Sequence, residues 1–346
     1  MRNWIAGNLK ANSQVYVFLT TFVLCGIIFV LYLFFSKKEI IPQTITRLEN
    51  VISSVSSSFD EKDISPEISL IFTGDVILAR SVNFISHSKK DFTWAFKNVA
   101  KYISDADLTV INLESPLIEN CPLTNEGFIF CGSKNHVSGI SLAGVDVVGF
   151  ANNHAGDYGT NGLTETANNL AEIGVSVYGT SDFPIHYKQV KDTKFSFVGF
   201  NDIGVSKGNI LQASEENIKK YIEIARNNSD FVVVSFHWGD EYVSQPNKRQ
   251  VELGRLAIDL GADLVVGNHP HWIQGYEVYQ DKYIFYALGN FIFDQEWSQK
   301  TKEGFFIKTI VQDRKIKNIS MYPIEIRNYG EVFVTDNIKI LPTKFY

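Results

Sequence analysis

The chain has 346 residues, 45% hydrophobic and 20% charged. That is an ordinary globular balance, enough for one large domain plus an added segment or for two modest domains. Its formal net charge of −6 argues against a nucleic-acid partner, which calls for a basic stripe or patch.

In chain order, residues 1–14 form a short tail ahead of an uncharged apolar run from Val15 to Phe35. A run of about 20 apolar residues matches the hydrocarbon core of a bilayer. It exceeds the apolar region of roughly 7–15 residues in a cleaved signal peptide, and Phe34-Phe35-Ser36-Lys37-Lys38 is a poor cleavage context. The expectation is one N-terminal transmembrane helix that places the protein at the cell membrane as a single-pass species. Arg2 and Lys10 on one side balance Lys37 and Lys38 on the other, so flanking charge does not orient it. Residues 36–66, serine-rich at Ser53-Ser54-Val55-Ser56-Ser57-Ser58, read as a flexible linker. Residues 67–346 read as the folded domain.

Pro66 precedes the first strand-like run, Ile68 to Asp75. The spacing predicts a helix over Phe92–Ile103 and another over Thr160–Ile173, with Leu163, Ala167 and Leu170 on one face and Gly174 as its stop. Ser214 caps a further predicted helix, with Glu215 and Glu216 in its first turn and Ile218, Tyr221, Ile222 and Ala225 on its apolar face. Leu253, Leu256, Ala257 and Leu260 repeat that spacing before Gly261. Strands alternating with such helices imply an α/β fold around a mostly parallel sheet. From Tyr283 onward the pattern changes to strands and turns, at Tyr283–Ala287, Phe305–Val311 and Ile316–Ile326. These are expected to pair antiparallel and finish a second sheet. Cys121 and Cys131 flank a loop-like stretch; paired they would staple an excursion suited to an oxidising exterior, and the alternative is two buried thiols.

The chemistry concentrates where apolar runs end. Asp75 ends Ile68-Ser69-Leu70-Ile71-Phe72-Thr73-Gly74, Glu114 follows Leu108–Leu113, and His154 follows Val147–Asn153. His237 ends Phe231–Phe236, and His269 and His271 follow Leu264-Val265-Val266-Gly267-Asn268. Ligands collect outside the carboxyl ends of the strands in open α/β sheets, and imidazoles two residues apart can converge on one metal. A lone histidine after a strand is an ordinary turn residue; a series of strand tips that each carry a carboxylate, amide or imidazole is not. Asp157, Asp240 and Glu241 follow the motif histidines closely enough to orient an imidazole or meet a substrate, or to be solvated loop carboxylates. Asn290 reads as a turn residue holding a site loop.

The ordered motifs are Gly74-Asp75, Asn112-Leu113-Glu114-Ser115-Pro116-Leu117, Ala151-Asn152-Asn153-His154-Ala155-Gly156-Asp157, His237-Trp238-Gly239-Asp240-Glu241-Tyr242, Gly267-Asn268-His269-Pro270-His271 and Leu288-Gly289-Asn290-Phe291. Over about residues 68 to 296 they resemble the capsule-synthesis protein CapA family, also called the poly-γ-glutamate synthesis family. That family is similar in fold to the calcineurin-like metallophosphoesterases. The resemblance implies a four-layer α/β/β/α sandwich with a metal centre. It implies metal ligands at Asp75, Glu114, Asn153, His237, His269 and His271, with His154 acting on the leaving group or phosphoryl oxygen. Two positions depart from the metallophosphoesterase pattern: Ile77 stands where a histidine is expected, and Glu114 where a bridging aspartate is expected. Mixed oxygen and imidazole ligands suit one or two ions of Mn, Fe or Zn. The resemblance further implies an extracytoplasmic domain that meets an anionic envelope polymer or a phosphoester, and a polymer synthetase complex as a partner. The alternatives are a phosphoesterase for another envelope substrate, a non-catalytic assembly factor and a metal-stabilised binding module.

Overall fold

In the computed structural model, which describes residues 65–205, 207–335 and 339–341 together with 24, 26–28 and 31–32, the apolar runs become strands buried on both faces. In chain order these are β1 (Ile68–Val76), β2 (Leu108–Leu113), β3 (Leu117–Ile118), β4 (Gly132–Ser133), β5 (Val147–Gly149), β6 (Ser176–Tyr178), β7 (Ile185–Val190), β8 (Thr193–Asn201) and β9 (Phe231–His237). They continue as β10 (Leu264–Asn268), β11 (Tyr276–Tyr279), β12 (Lys282–Phe285), β13 (Asn290–Ile292), β14 (Glu303–Gln312), β15 (Lys315–Arg327), β16 (Glu331–Val334) and β17 (Lys339–Leu341). The helices among the described residues that bear on the fold are α1 (Arg80–Lys89), α2 (Ala100–Ile103), α3 (Val137–Leu142), α4 (Gly159–Ala171), α5 (Glu215–Asn228) and α6 (Lys248–Asp259).

One sheet runs β16-β15-β14-β1-β2-β5-β6, with β13 also beside β1 and β17 beside β15; the other runs β11-β12-β10-β9-β8-β7. β1, β2, β5 and β6 are parallel to one another, and so are β8, β9, β10 and β12.

The period of two along each strand sends alternate side chains into different cores. Leu70, Phe72, Leu108 and Val110 of one sheet meet Phe195, Phe197, Phe231 and Val233 of the other in a shared core. Their neighbours turn outward: Ile71, Ile111, Leu113 and Val148 pack with Trp94, Phe96, Leu163 and Leu170. On the far side, Val198, Val232, Val234 and Val265 pack with Ile218, Ile222, Leu253 and Ala257 of α5 and α6. The layers are therefore helix, sheet, sheet, helix, as the resemblance implies. Each buried phenylalanine contributes roughly 1.5–3 kcal/mol, so the aromatic seam between the sheets holds them firmly face to face.

α5 and α6 form where expected. Ser214 accepts a hydrogen bond from the Asn217 amide, and Asn247 and Gln250 make a reciprocal capping box at the start of α6. The helix expected over Phe92–Ile103 shrinks to α2. Asp91 accepts from both the amide and the hydroxyl of Thr93, at 3.0 and 2.6 Å, and such local bonds hold turns at the expense of helix. The tail also divides differently from the expectation. β14 and β15 do pair antiparallel, but they extend the first sheet through β1, and only β12 enters the second.

The unit Met1–Ile64 contains the candidate span at residues 15–35, which lies for the most part outside the described residues. Among the described residues no helix is long and apolar enough to cross a membrane.

Candidate metal centre

The parallel strands of both sheets end at one place, and their tips build the site. Asp75 sits in register with Asn112 of β2 and Asn290 of β13. His237 sits in register with Asn268 of β10 and Asn201 of β8. Close backbone approach brings these tips together. A Cβ on Gly74 would lie 2.0 Å from the Gly289 carbonyl oxygen, and one on Gly267 would lie 2.1 Å from that of Tyr286. The turn after β10 is strained, with φ of 99° at His269 and 55° at His271. Such left-handed backbone costs non-glycine residues about 1–3 kcal/mol each and clusters at functional sites.

Asp75, Glu114, His237, His269 and His271 are all buried. They fall into two overlapping groups, Glu114–His269–His271 and Asp75–Glu114–His237, whose potential ligand atoms lie within 4.8 Å of one another. Glu114 belongs to both. Its two carboxylate oxygens, His237 Nε2, His269 Nδ1 and Asn153 Oδ1 are buried without a hydrogen-bond partner. Native interiors rarely leave such atoms unpaired, because each costs about 1–3 kcal/mol. Lone pairs on clustered oxygen and imidazole donors are what a divalent cation requires, so Asp75, Glu114, His237, His269 and His271 fit a metal.

The electrostatics run the same way. Burial pushes the Glu114 carboxyl up to about 8, with the nearby charge of Asp75 adding to the effect. Burial would also raise Asp75, but the hydrogen bond and charge of His271 hold it below the usual range. His271 is pulled the other way: burial opposes its charge, yet Asp75 and Glu114 raise it to about 9. Burial lowers His237 to about 3, and burial followed by the charges of His237 and His271 lowers His269. Without a metal the centre therefore holds one ion pair, Asp75 with His271, among neutral groups. A bound cation inverts this balance.

The backbone of residues 152–157 carries the second half of the site. Asn152 accepts from the amides of His154 and Ala155, at 3.2 and 2.6 Å, which fixes the turn. His154 Nδ1 lies 2.7 Å from Asp157 Oδ2, and Lys207 Nζ lies 3.1 Å from the other oxygen. Asp157 thus orients an imidazole. Asp240 accepts from Asn247, the cap of α6, at 2.9 Å and belongs to neither ligand group. Glu241 is exposed, and its charge acts on Glu114, His237 and His271. Ile77 is buried in an apolar cluster with Ala79, Phe130 and Phe293.

Three residues do more than their sequence context indicated. Asn112 donates to Asp75 Oδ1 at 2.9 Å and accepts from Asn152 at 3.0 Å, so it ties the first three strand tips together. Its place in the Asn-Leu-Glu motif was the available signal. Asn290 is more than a turn residue: its Oδ1 lies 2.9 Å from His271 Nδ1. Phe130 stacks on the His154 ring at a centroid distance of 4.1 Å, and only its position beside Cys131 hinted at a fixed place. Cys121 and Cys131 are disulfide-bonded, with Cα atoms 5.7 Å apart.

The family model described as bacterial capsule synthesis protein PGA_cap matches residues 69–295. The capsule biosynthesis protein CapA of Bacillus anthracis is 29% identical over 281 residues, covering 75% of this chain and 68% of that protein. The PGA biosynthesis protein CapA of Bacillus subtilis is 31% identical over 274 residues, covering 75% of this chain and 72% of that protein. Among solved structures, a hypothetical protein from Thermus thermophilus aligns with a TM-score of 0.50 at 15% identity, over 75% of this chain and 99% of that one. At that identity the likeness speaks to fold alone.

Proposed function

This chain belongs to the bacterial capsule synthesis protein PGA_cap family, and on that premise we propose that it serves capsule or poly-γ-glutamate biosynthesis at the cell envelope through a divalent-metal, hydrolase-like site. The observation that carries the site reading is Glu114: a buried carboxylate with both oxygens unpaired that belongs to both potential ligand groups. Asp75, Glu114, Asn153, His237, His269 and His271 would hold one or two ions of Mn, Fe or Zn. When bound, the metal would supply Lewis acidity toward a phosphoryl or acyl oxygen and lower the pKa of a water.

The chain's own groups do the rest. Asp75 is fixed by Asn112 and by the His269 amide, at 2.9 and 3.3 Å, so it enters the site preorganised. Asp157 accepts a hydrogen bond from His154 Nδ1–H, which leaves Nε2 to give or take a proton at the leaving group. Strand tips from both sheets set these groups in place before substrate arrives.

The membrane anchor belongs to the same proposal. The large hydrophobic residues described within the candidate span, Leu24, Ile27, Ile28, Leu31 and Tyr32, lie half exposed or more on helix, at 47–60%, as lipid-facing side chains would. The proposed partners are an anionic envelope polymer or a phosphoester at the site, and a polymer synthetase complex in the membrane. A second reading, an assembly factor without turnover, is favoured by Ile77, whose apolar packing leaves one potential ligand position empty of nitrogen.

The test is hydrolysis of a bis-aryl phosphodiester by the detergent-solubilised full chain loaded with Mn or Zn, beside His154→Ala. General acid–base groups typically contribute about 10²–10⁴-fold. Activity that falls by that factor in His154→Ala while metal content stays unchanged supports the hydrolase reading. A metal-loaded protein without turnover leaves the assembly reading.

A further inference from the structure

We infer that Phe130, pinned by the Cys121–Cys131 disulfide, is a positioning residue for the His154 imidazole. The inference rests on the reading of His154 as the site's proton carrier, but its geometry stands apart from any metal.

Phe130 touches both members of the His154–Asp157 pair. Its ring stacks on the imidazole at 4.1 Å with the planes 29° apart. Its amide donates to Asp157 Oδ2 at 2.8 Å, the oxygen that also meets His154 Nδ1 at 2.7 Å. The ring also packs in one apolar cluster with Ile77, Ala79 and Phe293. The Arg80 guanidinium lies 5.0 Å from the Phe130 ring centre and 4.8 Å from that of Phe293, and it donates to the Gly127 carbonyl of the same loop at 3.3 Å. Ile77 therefore acquires a use: where the metallophosphoesterase pattern has a histidine, this chain has part of an apolar wall that seats Phe130.

Little else holds that loop. Residues 122–129 are all exposed, and only Phe130 and Cys131 at its end are buried. Segments with so little buried surface open readily on their own. The crosslink at the residue next to Phe130 limits that opening. Ring, amide and disulfide together set the imidazole plane and the carboxylate that orients it.

The test compares wild type with Phe130→Leu, which fills the apolar seat without a ring face, Phe130→Tyr, which keeps the ring, and Cys121→Ser/Cys131→Ser. Each full chain is treated with diethyl pyrocarbonate, and carbethoxylation of His154 is followed by peptide mass mapping, with metal content and Tm recorded. His154 should react about three- to tenfold faster in Phe130→Leu and in the double serine variant, the factor an aromatic pair of ordinary strength supplies. Phe130→Tyr should stay near wild type. Wild-type protein reduced with a phosphine and alkylated repeats the comparison with Phe130 intact, should a variant fold poorly. Equal rates in wild type, Phe130→Leu and the reduced protein would overturn the inference, as would Phe130→Tyr reacting as fast as Phe130→Leu. Phosphodiester turnover measured in parallel separates the two ideas. A wild type without turnover counts against the hydrolase reading and leaves the His154 rates to decide this one.

Discussion

Glu114 Oε1 stands 3.3 Å from His237 Nε2, yet neither atom has a hydrogen-bond partner. The separation suits an ion pair and the geometry does not suit a hydrogen bond. Burial holds Glu114 at about 8 and His237 at about 3, so near neutral pH neither group is charged. Two neutral groups facing each other unbonded in a buried site form a poor structural contact and a good pair of metal ligands.

Metal uptake should therefore release protons. Glu114 at about 8 and His271 at about 9 both carry a proton near pH 7, and ligands must shed theirs to bind. Affinity for Zn or Mn should rise with pH through that range and weaken below it. Calorimetric titration at pH 7 in buffers of different ionisation enthalpy should report about two protons lost per centre filled. A buffer-independent heat would contradict the protonation pattern.

Asn112 and Asn290 hold ligand side chains without being proposed ligands. Asn112→Ala removes one of the bonds that hold Asp75, and Asn290→Ala removes one of the two contacts of His271 Nδ1, the other being Asp75 Oδ2 at 3.2 Å. Outer partners of this kind typically contribute about 10–100-fold to metal affinity. Competition with a chelator of known strength should find losses of that size in both variants, with little change in secondary structure.

His136 makes folding acid-sensitive away from the centre. It is buried with Nδ1 unpaired, and burial, aided by the charge of His87, lowers it from 6.5 to about 3. The unfolded chain binds the proton below pH 6.5 while the folded one refuses it until about 3. The contribution is thus complete above 6.5 and is lost as pH falls toward 3, at up to about 1.4 kcal/mol per pH unit. Chemical denaturation between pH 7 and 4 should show a shallower slope for His136→Gln than for wild type. Equal slopes would assign the acid sensitivity elsewhere.

The proposed topology has a direct readout. Protease added to intact cells stripped of their wall should remove the domain that begins at Ser65 and leave the N-terminal segment. A domain protected until lysis would place it in the cytoplasm.

Much of this site was legible in the sequence because strand tips are. An apolar run that ends in Gly-Asp, Asn-Leu-Glu or Asn-His-Pro-His gives both the strand and the group it delivers, and two-sided burial made those runs nearly continuous. What the sequence hid was relational. β14 follows β13 in the chain but pairs with β1, a choice made by long-range packing that no local pattern encodes. Asn112 acts across three strands, so its role exists only once they are side by side. The helix expected at Phe92–Ile103 failed through a single Asp91–Thr93 turn that overrode the apolar spacing. The capping box at Asn247 and Gln250 could have been read, since an asparagine three residues before a glutamine is its signature.

Whether the strand tips hold a metal decides between the readings of this site. The most direct measurement is an anomalous difference map from crystals of the protein equilibrated with Mn. One or two peaks are expected within about 2.0–2.3 Å of Glu114 and of His237, His269 or His271. A map with no peak at these residues, from folded protein equilibrated with saturating Mn, would contradict a metal site there.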